Sequence, residues 1–497
     1  MIGTQTSKKH KLAVIGDSLA QGFKNGGIYR TDLSFPALLA EAMGADTDLQ
    51  SPDFTAKGGI PINLEMLVRG LHEAYGDKIH LKNSVPAALY LYKTLYQMKR
   101  YWEGHIRPLR VERKLPYHNQ AVWGFAISDA LKMHEAYLTD YLKENRIRYS
   151  VFNILPDHAM YITARMVLNP GLTTPFRNYT MLDNIRYLQD HGGIENLIVC
   201  IGHNNVVGAV TKMDITYSEE SDLNQYYASR NCTVFRPEHF ARELENLYEK
   251  IRRLQVERVF VPTLPYITIP PAIRGVNEGG APKKGMYFDY YTRFWVWDED
   301  FDPDFHPYLT KAEAIELDQT VDEYNEIIRE KAMEYDFHVV PVNRHVSAAA
   351  RRRAGKFSVR PFPKKFIQAL RESENTHYLV DEEGNPRVST DYIRLDTDTG
   401  KIAQGGIFSL DGLHPTTIGY GLIANIYKSV MENQGVQFEK DLNWKRIIDE
   451  ETLVSDPPPL LYNLRLMLRW LAMGRREKFL FLGKSVLNQV LDGFTER

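Results

Sequence analysis

Cysteine is scarce in this sequence, which excludes two ways of stabilising a fold. The chain of 497 residues contains two cysteines, Cys200 and Cys232. Two thiols cannot form a disulfide framework or a four-thiolate zinc site. Cys200 lies in an apolar run, which favours a buried, unreactive thiol over a reactive one. The chain is long enough to form a large hydrophobic core, so we expect stability to come from packing.

Strong net charge and long apolar runs are also missing. The formal charge is -2 and the charged fraction is 25%, values that give no global attraction to nucleic acid. The most apolar tracts, near Leu89 and between Leu460 and Met473, are interrupted by charged residues before the roughly 18 residues that a membrane span needs. No signal-peptide pattern opens the chain, which predicts a cytoplasmic protein unless a leader was removed. We therefore expect no nucleic-acid partner and no transmembrane helix.

Short β-branched and aromatic runs recur along the chain and are typical of buried parallel strands. Between them lie helical stretches, in which apolar residues return at steps of three and four. This alternation predicts a parallel sheet with helices on both faces, and ligands of such sheets bind at the carboxyl ends of the strands. The predicted strands are 12–15, 149–155, 197–201, 259–261 and 339–342, and the clearest predicted helices are 128–143, 238–254 and 311–335.

The remaining sequence predicts additions to one catalytic domain at 1–435. We expect three insertions: a helical, aromatic-rich segment at 61–116, a segment rich in proline and glycine at 263–308, and a segment with two hairpin turns at 346–404. Residues 436–497 are predicted to form a helical C-terminal extension. Its apolar face and neighbouring cations leave two interpretations open, namely peripheral contact with a membrane, or packing against the core or a second subunit of a homo-oligomer.

A candidate nucleophile follows the first predicted strand. Residues 15–19 read IGDSL, which places Ser18 on the turn at the carboxyl end of that strand. The glycine permits a tight turn, and the start of the next helix offers free backbone N–H groups to a developing oxyanion. The motif is short, and a helix-capping role would explain the same residues. A catalytic Ser18 therefore requires a proton acceptor from elsewhere in the chain.

Such an acceptor occurs near the other end of the core. Residues 408–415 read FSLDGLHP, with Asp411 three residues before His414. On a tight loop, Asp411 can reach one imidazole nitrogen while the other faces Ser18. The imidazole would accept the serine proton, and the carboxylate would hold its tautomer and stabilise the imidazolium. Taken alone, this spacing is also typical of a surface turn.

Two further blocks make the sequence resemble the GDSL/SGNH hydrolase family. Residues 117–124 read YHNQAVWG and residues 201–205 read IGHNN, and both occur in the family's order between the serine and the Asp-x-x-His pair. The resemblance implies a three-layer α/β/α fold of flavodoxin-like type and a catalytic triad of Ser18, Asp411 and His414. It also implies an oxyanion hole formed by the N–H groups of Ser18 and Gly124 and by the side-chain amide of Asn204.

Two positions depart from the family pattern. Asn205 stands where many members have aspartate, which puts the hydrogen bonding of that loop in doubt. Trp123 is larger than the residue expected there and is predicted to shape the pocket. The resemblance covers the core, roughly residues 11–60, 117–154, 195–262 and 309–435 by our segmentation, and it is silent on the insertions.

These features predict a serine ester hydrolase that works through an acyl-serine intermediate and needs no cofactor. The aromatic and aliphatic insertions favour a lipid-like or medium-chain ester, while the alternatives are a carbohydrate O-acetyl esterase or acyltransferase, and a catalytically inert ligand-binding module. No metal site is expected. The acidic run at 298–304 resembles the start of a calcium loop, but Pro303 and Leu309 occupy positions where that loop requires glycine and glutamate.

Overall fold

The computed structural model combines short strands with many helices. It describes residues 9–46, 48–104, 113–145, 158–276, 287–350, 361–396 and 398–464. The strands are β1 (Ala13–Gly16), β2 (Gly27–Ile28), β3 (Ile60–Pro61), β4 (Asn196–Cys200), β5 (Arg258–Pro262), β6 (Ile273–Gly275), β7 (Tyr290–Arg293), β8 (Tyr308–Thr310), β9 (His338–Val340), β10 (Arg394–Leu395) and β11 (Ile402–Gln404). The α-helices are α1 (Ser18–Gln21), α2 (Phe35–Ala42), α3 (Leu64–Tyr75), α4 (Ser84–Gly104), α5 (Asp129–Lys132), α6 (Glu135–Glu144), α7 (Ala159–Leu168), α8 (Met181–Asp190), α9 (Gly208–Lys212), α10 (Glu220–Leu223), α11 (Pro237–Arg252), α12 (Lys311–Glu334), α13 (Val342–Ala349), α14 (Lys364–Glu372), α15 (Thr417–Asn433), α16 (Trp444–Asp449) and α17 (Thr452–Ser455). Short 3-10 helices span Thr31–Leu33, Ala56–Gly58, Leu81–Asn83, Thr174–Phe176, His203–Asn205, Ala228–Arg230, Asp298–Asp300, His377–Leu379 and Pro459–Asn463.

Four parallel strands form the centre of the fold, in the order β1, β4, β5, β9. A further extended stretch, residues 118–122, runs parallel to β1 on the side away from β4. Val14 N donates to the carbonyl of His118 at 2.9 Å, and Val122 N donates to the carbonyl of Gly16 at 3.0 Å. With this stretch counted as a strand, the order across the sheet is 118–122, β1, β4, β5, β9. Numbered by position along the chain, this order is 2-1-3-4-5.

Alternate side chains of the central strands enter two different cores, as expected for a sheet that is covered on both faces. Ala13 and Ile15 belong to one core, and Val14 belongs to the other. The first core also contains apolar residues of α6, α7, α8, α11 and α12, and the second those of α2, α14, α15 and α16. The structure is therefore a mixed α/β fold with a central parallel sheet, compatible with the predicted α/β/α layers.

Most predicted core elements are present. The runs that begin at 12, 197, 259 and 339 correspond to β1, β4, β5 and β9, and the last two predicted helices correspond to α11 and α12. The predicted strand at 149–155 lies outside the described residues.

One predicted helix, 128–143, is wrong as a single element, because the chain divides it into α5 and α6. Met133 has extended backbone angles, and the ring of His134 caps α6 by accepting a hydrogen bond from Tyr137 N at 3.2 Å.

The segments predicted as insertions contain both helices and small antiparallel sheets. The segment 61–116 contains the long helices α3 and α4, and 263–308 contains β6, β7 and the first residue of β8, which form one antiparallel sheet. In 346–404 the antiparallel strands β10 and β11 lie on either side of the predicted turn at 396–400. Among the described residues, no helix is both long and apolar enough to cross a membrane.

The first part of the C-terminal extension packs into the second core. Trp444 and Ile448 of α16 and Leu461 beyond α17 are buried there, with α15 and α2 as neighbours. Residues 465–497 lie outside the described residues. They carry most of the cations for which membrane contact and packing were the two interpretations. The boundary of the extension at residue 435 stays a prediction. Packing against the core accounts for the apolar residues of the extension up to Leu464.

The buried His118, at the start of the stretch 118–122, contacts the half-buried His10. His118 Nε2 lies 2.9 Å from His10 Nδ1, and His118 Nδ1 accepts a hydrogen bond from Gln50 N at 3.1 Å. Burial, aided by the charge that His10 can carry, lowers the pKa of His118 to about 4. His118 is therefore neutral in the folded protein at neutral pH.

Acid should destabilise the fold through His118. An unfolded histidine titrates near pH 6.5, so between about pH 6.5 and pH 4 the unfolded chain binds a proton that the folded chain excludes. Stability should fall as pH decreases through this window, by about 3 kcal/mol from this residue. We expect His118→Gln to reduce the loss in free energy of unfolding between neutral pH and pH 4, measured by urea titration. A matched substitution at the exposed His377 should keep the wild-type loss, and an unchanged loss in His118→Gln would contradict the assignment.

Candidate active site

Ser18 begins the helix that follows β1 at the carboxyl edge of the central sheet. β1 ends at Gly16, and Asp17 caps α1 by accepting a hydrogen bond from Leu19 N at 3.1 Å. The turn requires glycine at position 16, because a Cβ there would lie 2.5 Å from the Cβ of Ala20. Within the described chain, the backbone N–H of Ser18 donates to no other group, so it remains available to a ligand.

Asp411 and His414 lie on one tight loop. The carboxylate of Asp411 contacts both the backbone N–H and the ring of His414. Asp411 Oδ1 accepts hydrogen bonds from Leu413 N and His414 N, both at 2.8 Å, and Asp411 Oδ2 lies 3.3 Å from His414 Nδ1. Burial alone would raise the pKa of Asp411, but His414 and the backbone donors outweigh burial and lower that pKa. The ring of Phe23 packs on His414 with centroids 4.3 Å apart. No hydrogen bond joins Ser18 Oγ to His414 in the part of the chain that the structure describes, a looseness common in unliganded sites.

The loop 23–27, which follows α1, connects the serine side of the site to the Asp411 loop. Gly26 N donates to Asp411 Oδ2 at 2.9 Å. Asn25 N donates to the hydroxyl of Ser409 at 2.9 Å, and Asn25 Oδ1 accepts from Leu410 N at 3.0 Å. These three hydrogen bonds fix the position of the carboxylate relative to α1.

A buried ion pair anchors the same loop to the C-terminal extension. Lys24 Nζ lies 3.1 Å from Glu451 Oε2 and 2.9 Å from Thr417 Oγ1, and the Glu451 side chain is completely buried. Thr417 N, at the start of α15, donates to the same carboxylate oxygen at 2.5 Å. Glu451 therefore joins the loop after Ser18 to the helix after His414.

The first insertion reaches this polar cluster through Glu65 of α3. Asn25 Nδ2 donates to Glu65 Oε2 at 3.0 Å, and the hydroxyl of Thr452 donates to the other carboxylate oxygen. Arg69 pairs with Glu65 at 3.0 Å and also bonds to the backbone of Asp456. The insertion and the extension thus meet behind the loop 23–27.

Gly124 and Asn204 lie where N–H donors could face a ligand of Ser18. Gly124 has φ +81, a left-handed conformation that favours glycine, and among the described residues its N–H has no acceptor. Asn204 Nδ2 donates one hydrogen to the carbonyl of Phe125 at 2.9 Å, which leaves the second hydrogen of the amide for a ligand.

The two departures from the family pattern have structural reasons. Asn205 Oδ1 accepts from Ile127 N at 3.2 Å, and its Nδ2 donates to the buried Glu243 at 3.2 Å. An aspartate at 205 would place a second carboxylate against Glu243, whose pKa burial already raises, so the amide fits better. The side chain of Trp123 has contacts of its own: Nε1 donates to Thr163 Oγ1 at 3.3 Å, and the ring packs on Phe23 with centroids 5.4 Å apart.

A second Asp–His pair lies beside Ser18. His203 Nδ1 lies 2.8 Å from Asp17 Oδ2, and the Asp17 side chain is completely buried. The Sγ of Cys200 lies within 4.8 Å of both ligand atoms. Burial, aided by Asp17, raises the pKa of the Cys200 thiol, which disfavours the thiolate that a metal would need. The group is therefore a hydrogen-bonded Asp–His pair beside a buried thiol.

These elements surround one large cavity at the carboxyl edge of the sheet, with a volume of about 390 Å³. Ser18, Gly124, Asn204 and His414 line it, and Asp411 lies behind His414. Most of the remaining lining is apolar. Part of it comes from the loop after β5, from α13 and from α15, including Pro265, Ile267, Pro270, Val346, Ala349, Leu422, Ile423 and Ile426.

All five residues singled out in the sequence therefore lie together. The pairing of His203 with Asp17 and the buried pair of Lys24 with Glu451 were not predicted. His203 stands inside the block 201–205, so the motif contained it, but no local pattern reveals a partner 186 residues away.

Comparisons with known proteins add little to this geometry. No family model matches the chain, and no curated protein matches it. A search of solved structures found a crystal structure of a provisionally assigned GDSL-like lipase from Parabacteroides merdae, with 10% sequence identity, covering 87% of this chain and 98% of that one, at a TM-score of 0.26.

The buried ion pair should make the site sensitive to the C-terminal extension. Lys24→Met leaves the Glu451 charge buried without its partner, which should lower the free energy of unfolding by about 3–5 kcal/mol. Adding Glu451→Gln removes that charge but keeps an acceptor for Thr417 N, so the double variant should be more stable than the single one. Urea titration at neutral pH would measure both.

Lys143→Met, which breaks the exposed pair with Asp140, is the matched control and should have little effect. A double variant no more stable than Lys24→Met would argue against an uncompensated charge as the cause.

Proposed function

We propose that this protein is a serine ester hydrolase of the GDSL/SGNH type, with Ser18 as nucleophile and His414, oriented by Asp411, as general base. The observation that carries the proposal is the convergence of Ser18, Gly124, Asn204 and His414 on one cavity from four separate segments. With the stretch 118–122 counted, the strand order is the flavodoxin-like order 2-1-3-4-5, which supports the same family.

The proposed reaction gives each of these groups a role. Ser18 Oγ attacks the ester carbonyl while His414 Nε2 takes the hydroxyl proton, and Asp411 stabilises the imidazolium. Collapse of the tetrahedral intermediate breaks the ester C–O bond, and His414 returns the proton to the departing alcohol oxygen. Water then attacks the acyl-serine by the reverse sequence and releases the acid. Every proton moves through His414, so the scheme needs no cofactor.

The proposed oxyanion hole combines three donors on neighbouring segments. The N–H groups of Ser18 and Gly124 lack protein acceptors among the described residues, and Asn204 retains one amide hydrogen. Donors held in place before the reaction stabilise the negative oxygen without reorganising. The hydrogen bond from Asn204 to Phe125, and those of Asn205 behind it, hold the amide in place.

The apolar side of the cavity favours a lipid-like or medium-chain acyl group. Gly419, Leu422 and Ile426 share one face of α15, and this helix begins three residues after His414. From Gly419 to Ile426 the helix rises about 10 Å, so the apolar face leads away from the histidine over the length of a medium acyl chain. An acetyl group would leave most of this surface without contact.

Two alternatives are separated by experiment. A carbohydrate O-acetyl esterase or acyltransferase is favoured by the polar lining residues Thr211, Lys212 and Ser229, and it would act best on acetyl esters. A catalytically inert binding module would retain the cavity but would not react with a fluorophosphonate.

Ser18 and His414 should act as one catalytic unit. We expect Ser18→Ala, His414→Ala and the double variant to lose turnover to about the same extent, because removing either residue disables the shared step. Initial rates on nitrophenyl esters from acetyl to dodecanoyl would measure this loss, and wild type should prefer the medium chains. A fluorophosphonate should label wild type and not Ser18→Ala. Near-normal turnover in His414→Ala would refute the triad, and absence of labelling in wild type would favour the binding module.

Asn204 should contribute to turnover rather than to binding. Asn204→Ala removes one oxyanion donor, which should lower kcat by about a hundredfold or more with a small change in KM. Steady-state kinetics on the preferred nitrophenyl ester would separate the two constants. Asn231→Ala, on a partly exposed amide bonded to Asp222, is a matched control. If the loss were wholly in KM, Asn204 would be a ground-state binding residue.

A further inference from the structure

The second Asp–His pair has no part in the proposed reaction, although His203 lines the same cavity as Ser18. A carboxylate only accepts hydrogen bonds, so the contact of 2.8 Å with Asp17 Oδ2 places the hydrogen on His203 Nδ1. The neutral ring then has a lone pair on Nε2. Among the described residues, nothing donates to that nitrogen.

A ligand that contacts His203 Nε2 must therefore bring a hydrogen-bond donor. The acyl chain and the carbonyl of a simple ester have none. A free hydroxyl on the alcohol part of an ester is such a donor. The protein holds this acceptor rigidly, because Asp17 is buried, caps α1 with its other oxygen and fixes the imidazole at the same time.

The lining of the cavity has a polar side and an apolar side, as such an ester has a polar alcohol part and an apolar acyl part. The loop and helices after β4 contribute most of its polar groups, namely Thr211, Lys212 and Ser229 beside His203 and Asn204. The Ser229 hydroxyl is buried and has no partner within the described chain. The segments after β5 and β9 and helix α15 contribute mainly apolar groups. Ser18 follows β1, next to the polar end.

We propose that His203, held by Asp17, binds a free hydroxyl on the alcohol part of the ester, so that the enzyme prefers esters of polyhydric alcohols such as glycerol or a sugar. This inference rests on the proposed ester hydrolase function. The acyl chain lies along α15, the carbonyl carbon lies at Ser18 Oγ, and the alcohol extends toward the loop after β4. His203 is then a specificity residue, and His414 alone transfers the proton.

Two esters with the same acyl group test the proposal. Ethyl octanoate has no hydroxyl, and glyceryl monooctanoate has two free hydroxyls on its alcohol part. Wild type should have a higher kcat/KM for the glyceryl ester, and His203→Phe should lower the ratio of the two kcat/KM values about three- to tenfold, the effect of one neutral hydrogen bond. Both values come from one preparation, so a partly unfolded sample does not change the ratio.

Two further variants complete the test. His203→Gln can donate to Asp17 through its amide and present its carbonyl oxygen to the cavity, so it should keep more of the ratio than His203→Phe. His345→Phe removes an imidazole from the apolar end, where His345 Nδ1 is bonded to the carbonyl of Pro341, and should leave the ratio unchanged.

Each remaining outcome decides the question. An unchanged ratio in His203→Phe, or no preference in wild type that cleaves ethyl octanoate, overturns this inference and leaves the ester hydrolase function standing. Complete loss of both activities in His203→Phe and His203→Gln also overturns it, because His203 would then act in the chemistry. Wild type that cleaves neither ester and does not react with a fluorophosphonate refutes the proposed function itself.

Discussion

The hydrogen bond from Gly26 N to Asp411 joins two parts of the chain that are 385 residues apart, and the geometry of the site depends on it. Gly26 lies on the loop that leaves the helix of Ser18, and Asp411 holds His414. Displacement of this loop would move His414 relative to Ser18. A contact of such long sequence separation also has a high entropic cost of closure and is expected to form late in folding. The site therefore becomes complete only when the core is complete.

The polar cluster around the loop 23–27 connects the first insertion and the C-terminal extension to the candidate site. Glu65 comes from the first insertion, and Glu451 and Thr452 come from the C-terminal extension, yet all three contact this loop or its neighbours. A buried charge that loses its partner destabilises a protein strongly. The extension is thus connected to the candidate site by an ion pair as well as by apolar packing, and its first part belongs to the same cooperative structure.

Local sequence patterns predicted most of the described core elements, and the five candidate site residues that they singled out lie around one cavity. β4 is a continuous buried apolar run, α11 and α12 have clear helical periodicity, and the motifs at 15–19 and 201–205 fall at the ends of the predicted strands 12–15 and 197–201. The patterns failed where individual side-chain contacts decide the structure. Met133 ends α5 and the ring of His134 caps α6, although the apolar spacing continues through both residues.

The same limit applies to the pairs that cross the site. His203 meets Asp17, and Lys24 meets Glu451, because the sheet brings separate loops to one edge. The acidic character of Glu451 gave no sign of burial, since charged residues in a sequence are usually exposed. Neither contact follows from spacing or propensity.

The placement of His203 and Asn204 on consecutive positions of one 3-10 turn has an evolutionary consequence. If their roles are those proposed, a mutation that reshapes this turn to accept another alcohol also disturbs an oxyanion donor. Adaptation on the alcohol side of the cavity would therefore proceed through variants of low fitness. The residues along α13 and α15 lie on helices without such a donor. Chain-length selectivity could therefore drift among descendants of this protein by single neutral steps, while the preference for the alcohol would be inherited nearly unchanged.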